Sequence, residues 1–195
     1  MYFTLSAGVS GLTVVSSSSK FCRHEYTDNP ENYDIAFSRT FNSGHCEFDF
    51  MILVDGSTSI GSDNWALVIK MLRTLASVIN SNSVLGTSSR VGIHRFPVTR
   101  RILSLRDNAD LARVNRSISS LAYRGGDTPM FEAVTAAATE LSQNVRTIGG
   151  RVTATQGIIL FTDGSPSDRR DETLEVLQKQ MDKGVHVIMI GTHSK

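Results

Sequence analysis

Cysteine is scarce in this 195-residue chain, with Cys22 and Cys46 the only two. They are too few for a disulfide scaffold, and their separation offers no C-x-x-C metal spacing. One bridge in an oxidising compartment and two unlinked thiols are both compatible with the sequence. Excess charge is lacking as well: 20 Lys+Arg against 19 Asp+Glu leave a formal net charge of +1. That balance excludes nucleic-acid binding driven by bulk charge, and it excludes an acidic disordered tail. No apolar run reaches the roughly 18 residues that a membrane span requires, so no transmembrane helix is expected. What is present is 40% hydrophobic and 20% charged residues, the balance of a chain that buries a core.

Residues 1–47 are rich in Ser and Asn, with scattered aromatics and no sustained period, and read as an irregular N-terminal extension. The first 19 residues hold an interrupted apolar run without a basic n-region, a weak match to a secretory signal. From Phe48 the pattern changes. Phe48 to Val54 is a short apolar run ended by Asp55-Gly56-Ser57, the signature of a buried strand. Trp65, Val68, Ile69, Leu72, Leu75, Ala76 and Ile79 then recur at helical spacing, predicting a helix from near Asp63 to the Asn-Ser run at Asn80.

Arg90 to Phe96 and Arg101 to Leu105 read as a strand pair around Pro97. Leu111, Val114, Ile118 and Leu121 mark a helix, and Gly125-Gly126 a turn. A further helix is expected from Pro129 to Ser142, with proline at its first position. Gly157 to Thr162 is a second wholly apolar strand, again ended by Asp-Gly-Ser. Leu174, Leu177 and Met181 mark a last helix stopping at Gly184, and Val185 to Ile190 a last strand. Strands alternating with helices, the inner ones apolar on both faces, indicate an α/β domain over residues 48–195. Its sheet should be mostly parallel and doubly wound, with one antiparallel edge strand and helices on both faces. Its ligand crevice should lie beyond the carboxyl ends of the strands.

Two strands end alike, in Asp55-Gly-Ser57-Thr-Ser59 and in Asp163-Gly-Ser165-Pro-Ser167. If those strands are neighbours, two carboxylates converge on one crevice and repel unless a cation joins them. Ser57 and Ser59 can turn hydroxyls to the same point. The result is an oxygen-only shell suited to Mg²⁺ or Mn²⁺ rather than to a softer metal.

These residues resemble the D-x-S-x-S metal-ion-dependent adhesion motif of von Willebrand factor type A domains, also called integrin I domains. The family's threonine in a Gly-rich loop is matched by Gly125-Gly126-Asp127-Thr128, and its later strand-end aspartate by Thr162-Asp163-Gly164. The resemblance implies a Rossmann-like fold and a metal held by Asp55, Ser57, Ser59, Thr128 and Asp163, with a position left for a carboxylate of the ligand. It implies adhesion rather than turnover, at a protein or matrix ligand presenting Glu or Asp, on a secreted or extracellular domain. The string from Asp49 through Asn64-Trp65, with a Cys shortly before it, is also similar to the thrombospondin-related adhesins of gliding protozoan parasites. Family domains continue past a strand such as VHVIMI into another strand and helix. On that pattern the sequence looks C-terminally truncated, Val185 to Ile190 would be an exposed apolar edge, and an affinity-switching helix is in doubt.

Other readings stand beside these. Asp63 fits a helix N-cap and Asp127 a solvent-facing position. Trp65 fits the core, and His94 and His186 fit packing or rim positions inside strands. Arg95, Arg100, Arg101 and Arg106 gather around the predicted hairpin, as a solvated face or as a surface for sulfated glycan. Arg169 and Arg170 follow the second Asp-Gly-Ser loop and can favour acidic ligands. Asn115-Arg116-Ser117 is a glycosylation sequon of little weight. An intracellular type A scaffold would carry the same motif. A Mg²⁺-dependent phosphohydrolase with Asp55 as nucleophile is disfavoured, because Ser57 stands where such enzymes place a second acid.

Overall fold

The computed structural model of the chain describes residues 2–5, 12–17, 47–81, 89–107, 110–142, 150–151, 154–164 and 166–192. Cys22 and Cys46 lie outside the described residues, so the alternatives for them stand as the sequence left them. The strands are β1 (Tyr2–Leu5), β2 (Leu12–Ser17), β3 (Phe48–Asp55), β4 (Arg90–Phe96), β5 (Arg100–Leu103), β6 (Thr155–Thr162) and β7 (His186–Thr192). The helices are α1 (Ser62–Ser81), α2 (Leu111–Ser119), α3 (Met130–Ser142) and α4 (Arg170–Asp182), with a 3₁₀ turn at Leu105–Asp107. The sheet order is β1-β2-β7-β6-β3-β4-β5. Strands β4, β3, β6 and β7 run parallel, and β5 pairs antiparallel with β4 at one edge, as the doubly wound reading requires.

Strand β3 is the centre of the molecule and is buried along its whole length. Its alternate residues Phe48, Phe50, Ile52 and Val54 point into a core with Trp65, Val68, Leu72, Leu75 and Ile79 of α1 and Val114 and Ile118 of α2. Met51 and Leu53 point the other way, against Met130, Ala133, Val134 and Leu141 of α3 and Leu177 of α4. A strand covered on both faces needs apolar residues at both parities, which is why it reads as an unbroken run. Gly157 of β6 lies so close under Phe50 that an added Cβ would stand 2.5 Å from the ring. Gly157→Ala should therefore cost roughly 1–3 kcal/mol of overpacking strain, read as a lower urea midpoint with an unchanged slope.

Element boundaries shift slightly from expectation. The helix after β3 begins at Ser62, which puts Asp63 in its first turn and not at the cap. Pro129 precedes α3 instead of opening it. On α4 the buried residues are Thr173, Leu177 and Gln180, Met181 packs partly buried against the core, and of the three apolar residues that marked the helix only Leu174 is exposed. Asn115 of the sequon sits half-buried within α2.

The N-terminal segment departs most from expectation. Instead of being irregular throughout, it supplies β1 and β2, paired antiparallel, and β2 lies antiparallel along β7 with Val14 opposite Ile190. The run Leu12-Thr-Val-Val is short but β-branched, and β7 offers it an open row of backbone donors and acceptors. Strand β7 is thus flanked by β6 and β2 and is not the bare apolar edge that was expected.

Candidate metal centre

Parallel pairing sets Val54 of β3 opposite Phe161 of β6, so the two chains leave the sheet side by side at Asp55 and Thr162. The chain turns to β4 on one side of β3, and the next parallel strand, β6, lies on the other. Their following loops part there and leave a crevice. Asp55 is fully buried. Its Oδ1 accepts the Ser57 backbone N–H at 2.8 Å and its Oδ2 accepts the Thr162 hydroxyl at 2.8 Å. The Ser57 and Ser59 hydroxyls are 3.0 Å apart, and the Ser59 hydroxyl donates to Asp163 Oδ1 at 2.8 Å. Asp55, Ser57, Ser59 and Asp163 therefore form one connected oxygen cluster.

Thr128 reaches the same face through its loop. The Gly125 N–H donates to the Gly56 carbonyl at 2.9 Å, and the Gly126 N–H to Thr58 Oγ1 at 2.7 Å. The Thr58 N–H returns a bond to the Gly126 carbonyl. Gly125 and Gly126 have φ of 68° and 100°, a region where a side chain would be strained. Thr128 itself is buried and exchanges bonds with Ser167, its N–H donating to Ser167 Oγ at 3.1 Å and its carbonyl accepting the Ser167 N–H at 3.0 Å. Three groups were not anticipated: Thr162, which orients Asp55, Thr58, which clamps the Gly loop, and Ser167, which holds Thr128. Each lies in or beside a motif already recognised, and that adjacency was the available signal.

Electrostatics separates this cluster from an ordinary buried carboxylate. Asp49, at the opposite end of β3, is also fully buried, but Arg151 bonds it with Nη2 at 2.8 Å and with its backbone N–H at 2.6 Å. Asp55 has no such partner: among the described residues neither it nor Asp163 pairs with a Lys or Arg. Burial pushes the Asp55 carboxyl above its ordinary value against the bonds from Ser57 and Thr162, and the charge of Asp163 pushes it further. Two strand-end carboxylates with the Ser57 and Ser59 hydroxyls form a donor set that suits a hard divalent cation and lacks the counter-charge such a cation brings. The residues present fit that ion.

Of the two arginines expected at this face, Arg169 is drawn aside. Its guanidinium pairs with Glu172 and lies 3.5 Å over the Phe131 ring. Arg170 is exposed at the first position of α4. Asp127 is exposed, as expected, and with Pro97, Val98, Pro129, Ser167 and Asp168 it lines a cleft of about 490 Å³ beside the cluster.

Two comparisons agree with this architecture. A family model for the von Willebrand factor type A domain matches residues 49–195. Among solved structures, the manganese-loaded TRAP protein of Plasmodium vivax is 29% identical with a TM-score of 0.59, covering 74% of this chain and 57% of that one. Proximal thread matrix protein 1 of the mussel byssus is 21% identical, with a TM-score of 0.65 over 75% of this chain and 38% of its own. That structure has a zinc-occupied MIDAS motif, and at this identity the likeness speaks for the fold alone. The chain thus spans between about two fifths and three fifths of the length of these structures. The match to TRAP agrees with the resemblance to thrombospondin-related adhesins. With the family model covering three quarters of its length and the fold in agreement, the chain belongs to the von Willebrand factor type A domain family.

Proposed function

We propose that this domain is a divalent-cation-dependent binding module, not an enzyme, that engages a protein or matrix ligand through a Glu or Asp side chain. Asp55, Ser57, Ser59, Thr128 and Asp163 would hold Mg²⁺ or Mn²⁺. The observation that carries this reading is the contrast along β3, where buried Asp49 has its arginine and buried Asp55 has, among the described residues, only hydroxyl and backbone partners beside a second carboxylate. When bound, the cation supplies a hard positive centre with a position that an incoming carboxylate completes. The protein's part is to hold the oxygens ready: Thr162 and the Ser57 N–H fix Asp55, and the Gly125-Gly126 clamp fixes the approach of Thr128. Because three of the five side chains are neutral hydroxyls, and the aspartates can act through water, the cation stays electrophilic toward an incoming carboxylate. The cleft lined by Val98 and Pro129 can then receive the residues flanking the ligand's acid. The manganese-loaded TRAP structure supports the choice of ion class, and the adhesin likeness supports a secreted or cell-surface setting.

Titration with Mn²⁺ followed by water-proton relaxation tests this directly. A single class of site, displaced by Mg²⁺ and emptied by EDTA, is expected. No enhancement at millimolar Mn²⁺ would remove the basis for the reading.

A further inference from the structure

Beside the candidate metal centre lies a buried positive charge that no carboxylate among the described residues pairs. Arg95, near the end of β4, shares the sheet face of Val91 and Ile93 and is only 5% exposed. Its Nη1 donates to the Ala122 carbonyl at 3.3 Å, and its Nε is buried without an acceptor. Arg100 is its cross-strand partner on β5. Arg124 follows two residues after the carbonyl that Arg95 bonds. Arg100 and Arg124 are both exposed, and among the described residues no carboxylate pairs with any of the three. Arg151, the other buried arginine among the described residues, is by contrast held by Asp49 and Glu47. Burial, then the like charges of Arg124 and Arg100, lower the Arg95 pKa from its ordinary value. A buried guanidinium hemmed in by two others destabilises the free domain and is relieved by an anion.

The cluster is tied to the metal face through the backbone. Gly125, next to Arg124, bonds the Gly56 carbonyl at 2.9 Å, and the Phe96 carbonyl, next to Arg95, accepts the Gly56 N–H at 2.8 Å. Arg100 stands opposite Arg95 on the same sheet face and Arg124 acts on Arg95 through its charge, whereas Arg101, registered with His94, points to the opposite sheet face. A compact fork of arginines suits a planar carboxylate, whereas a long polyanion is read along a row of charges.

We propose that Arg100 and Arg124, backed by the buried charge of Arg95, form an anion subsite contiguous with the metal centre. It takes a second carboxylate from an acidic peptide segment of the partner protein. This deepens the proposed function and rests on it for the first carboxylate. The arginine arm, however, binds without metal and is tested apart from it.

The test is a ¹H–¹⁵N NMR titration of the domain with hexaglutamate, hexaglutamine and a heparin-derived hexasaccharide, each in Mg²⁺ and in EDTA. Hexaglutamate, and not hexaglutamine, should shift the Nε resonances of Arg100 and Arg124 and the Gly125 and Gly126 amides in both buffers, more tightly in Mg²⁺. R100E/R124E should weaken hexaglutamate about tenfold in either buffer, with R100Q/R124Q as the milder variant. In both variants Mg²⁺ alone should still shift the Ser57 and Ser59 amides, which reports an intact fold and metal centre. Unchanged hexaglutamate affinity in both variants overturns the proposal. So does binding of the heparin hexasaccharide at these arginines where hexaglutamate leaves them unmoved. A failure of Mg²⁺ to move Ser57 and Ser59 counts against the metal reading, and the EDTA arm then still decides on the arginines.

Discussion

Asp163→Ala should reduce Mg²⁺ or Mn²⁺ affinity by at least about a hundredfold, the loss expected when a charged group at a metal site is removed, while leaving the fold in place. Asp163 follows β6 on a half-buried loop, and its described bond is the one from Ser59, so truncation leaves a single hydroxyl to find water. In the absence of metal the variant should match or exceed the parent in thermal midpoint, because the carboxylate charge that crowds Asp55 is gone. In excess Mg²⁺ the order reverses: the parent gains about 2.7 kcal/mol at a hundredfold excess over its dissociation constant, and the variant gains almost nothing. Asp63→Ala, on the exposed first turn of α1, is the matched control and should keep full affinity. Thermal melts of the three proteins with and without Mg²⁺ read all of this in one experiment. A parent and variant stabilised equally by Mg²⁺ would place the cation elsewhere.

The parts of this site that were legible in the sequence share one cause. A central parallel strand must be apolar on both faces and must end where the polar crevice begins, so Phe48–Asp55 and Thr155–Thr162 announce both the sheet and the acids beyond it. The parts that were not legible depend on pairings between distant residues of unremarkable character. Leu12–Ser17 is a strand because β7 has a free edge, and nothing within those six residues says which edge. Glu140 lies 46 residues from His94 and interrupts an Ala-rich helical face with a charge, which local pattern alone assigns to solvent. Arg95 looked like part of a solvated hairpin because strand periodicity does not tell which side of an edge pair the α2–α3 connection will cover.

Replacing Glu140 should cost more stability than any exposed acid in the molecule. It is buried on α3 and accepts three bonds: His94 Nε2 to Oε2 at 3.2 Å, and the Ser104 hydroxyl and Leu105 N–H to Oε1, both at 2.7 Å. These ties fasten the end of the β4–β5 hairpin and its 3₁₀ turn to the helix that follows the Gly125-Gly126 loop, so the network is a brace behind the candidate metal centre. Glu140→Ala strands a buried imidazole, a hydroxyl and an amide at once. The expected loss is about 3 kcal/mol, or roughly 10 °C in thermal midpoint for a domain of this size. Burial alone would raise the Glu140 carboxyl, but the bonds from His94, Ser104 and Leu105 and the charge of His94 outweigh it and hold the value below the ordinary 4.5. The native state therefore binds this proton less tightly than the unfolded chain does. Its contribution to stability is full above the unfolded value and is lost as the pH falls through the folded one. Glu140→Gln keeps an acceptor for the Leu105 N–H but no charge, so it should be less stable than the parent at neutral pH and show a flatter acid limb. Urea midpoints measured from pH 7 down to pH 3 for the two proteins separate those effects, and parallel acid limbs would mean that Glu140 does not carry the titration.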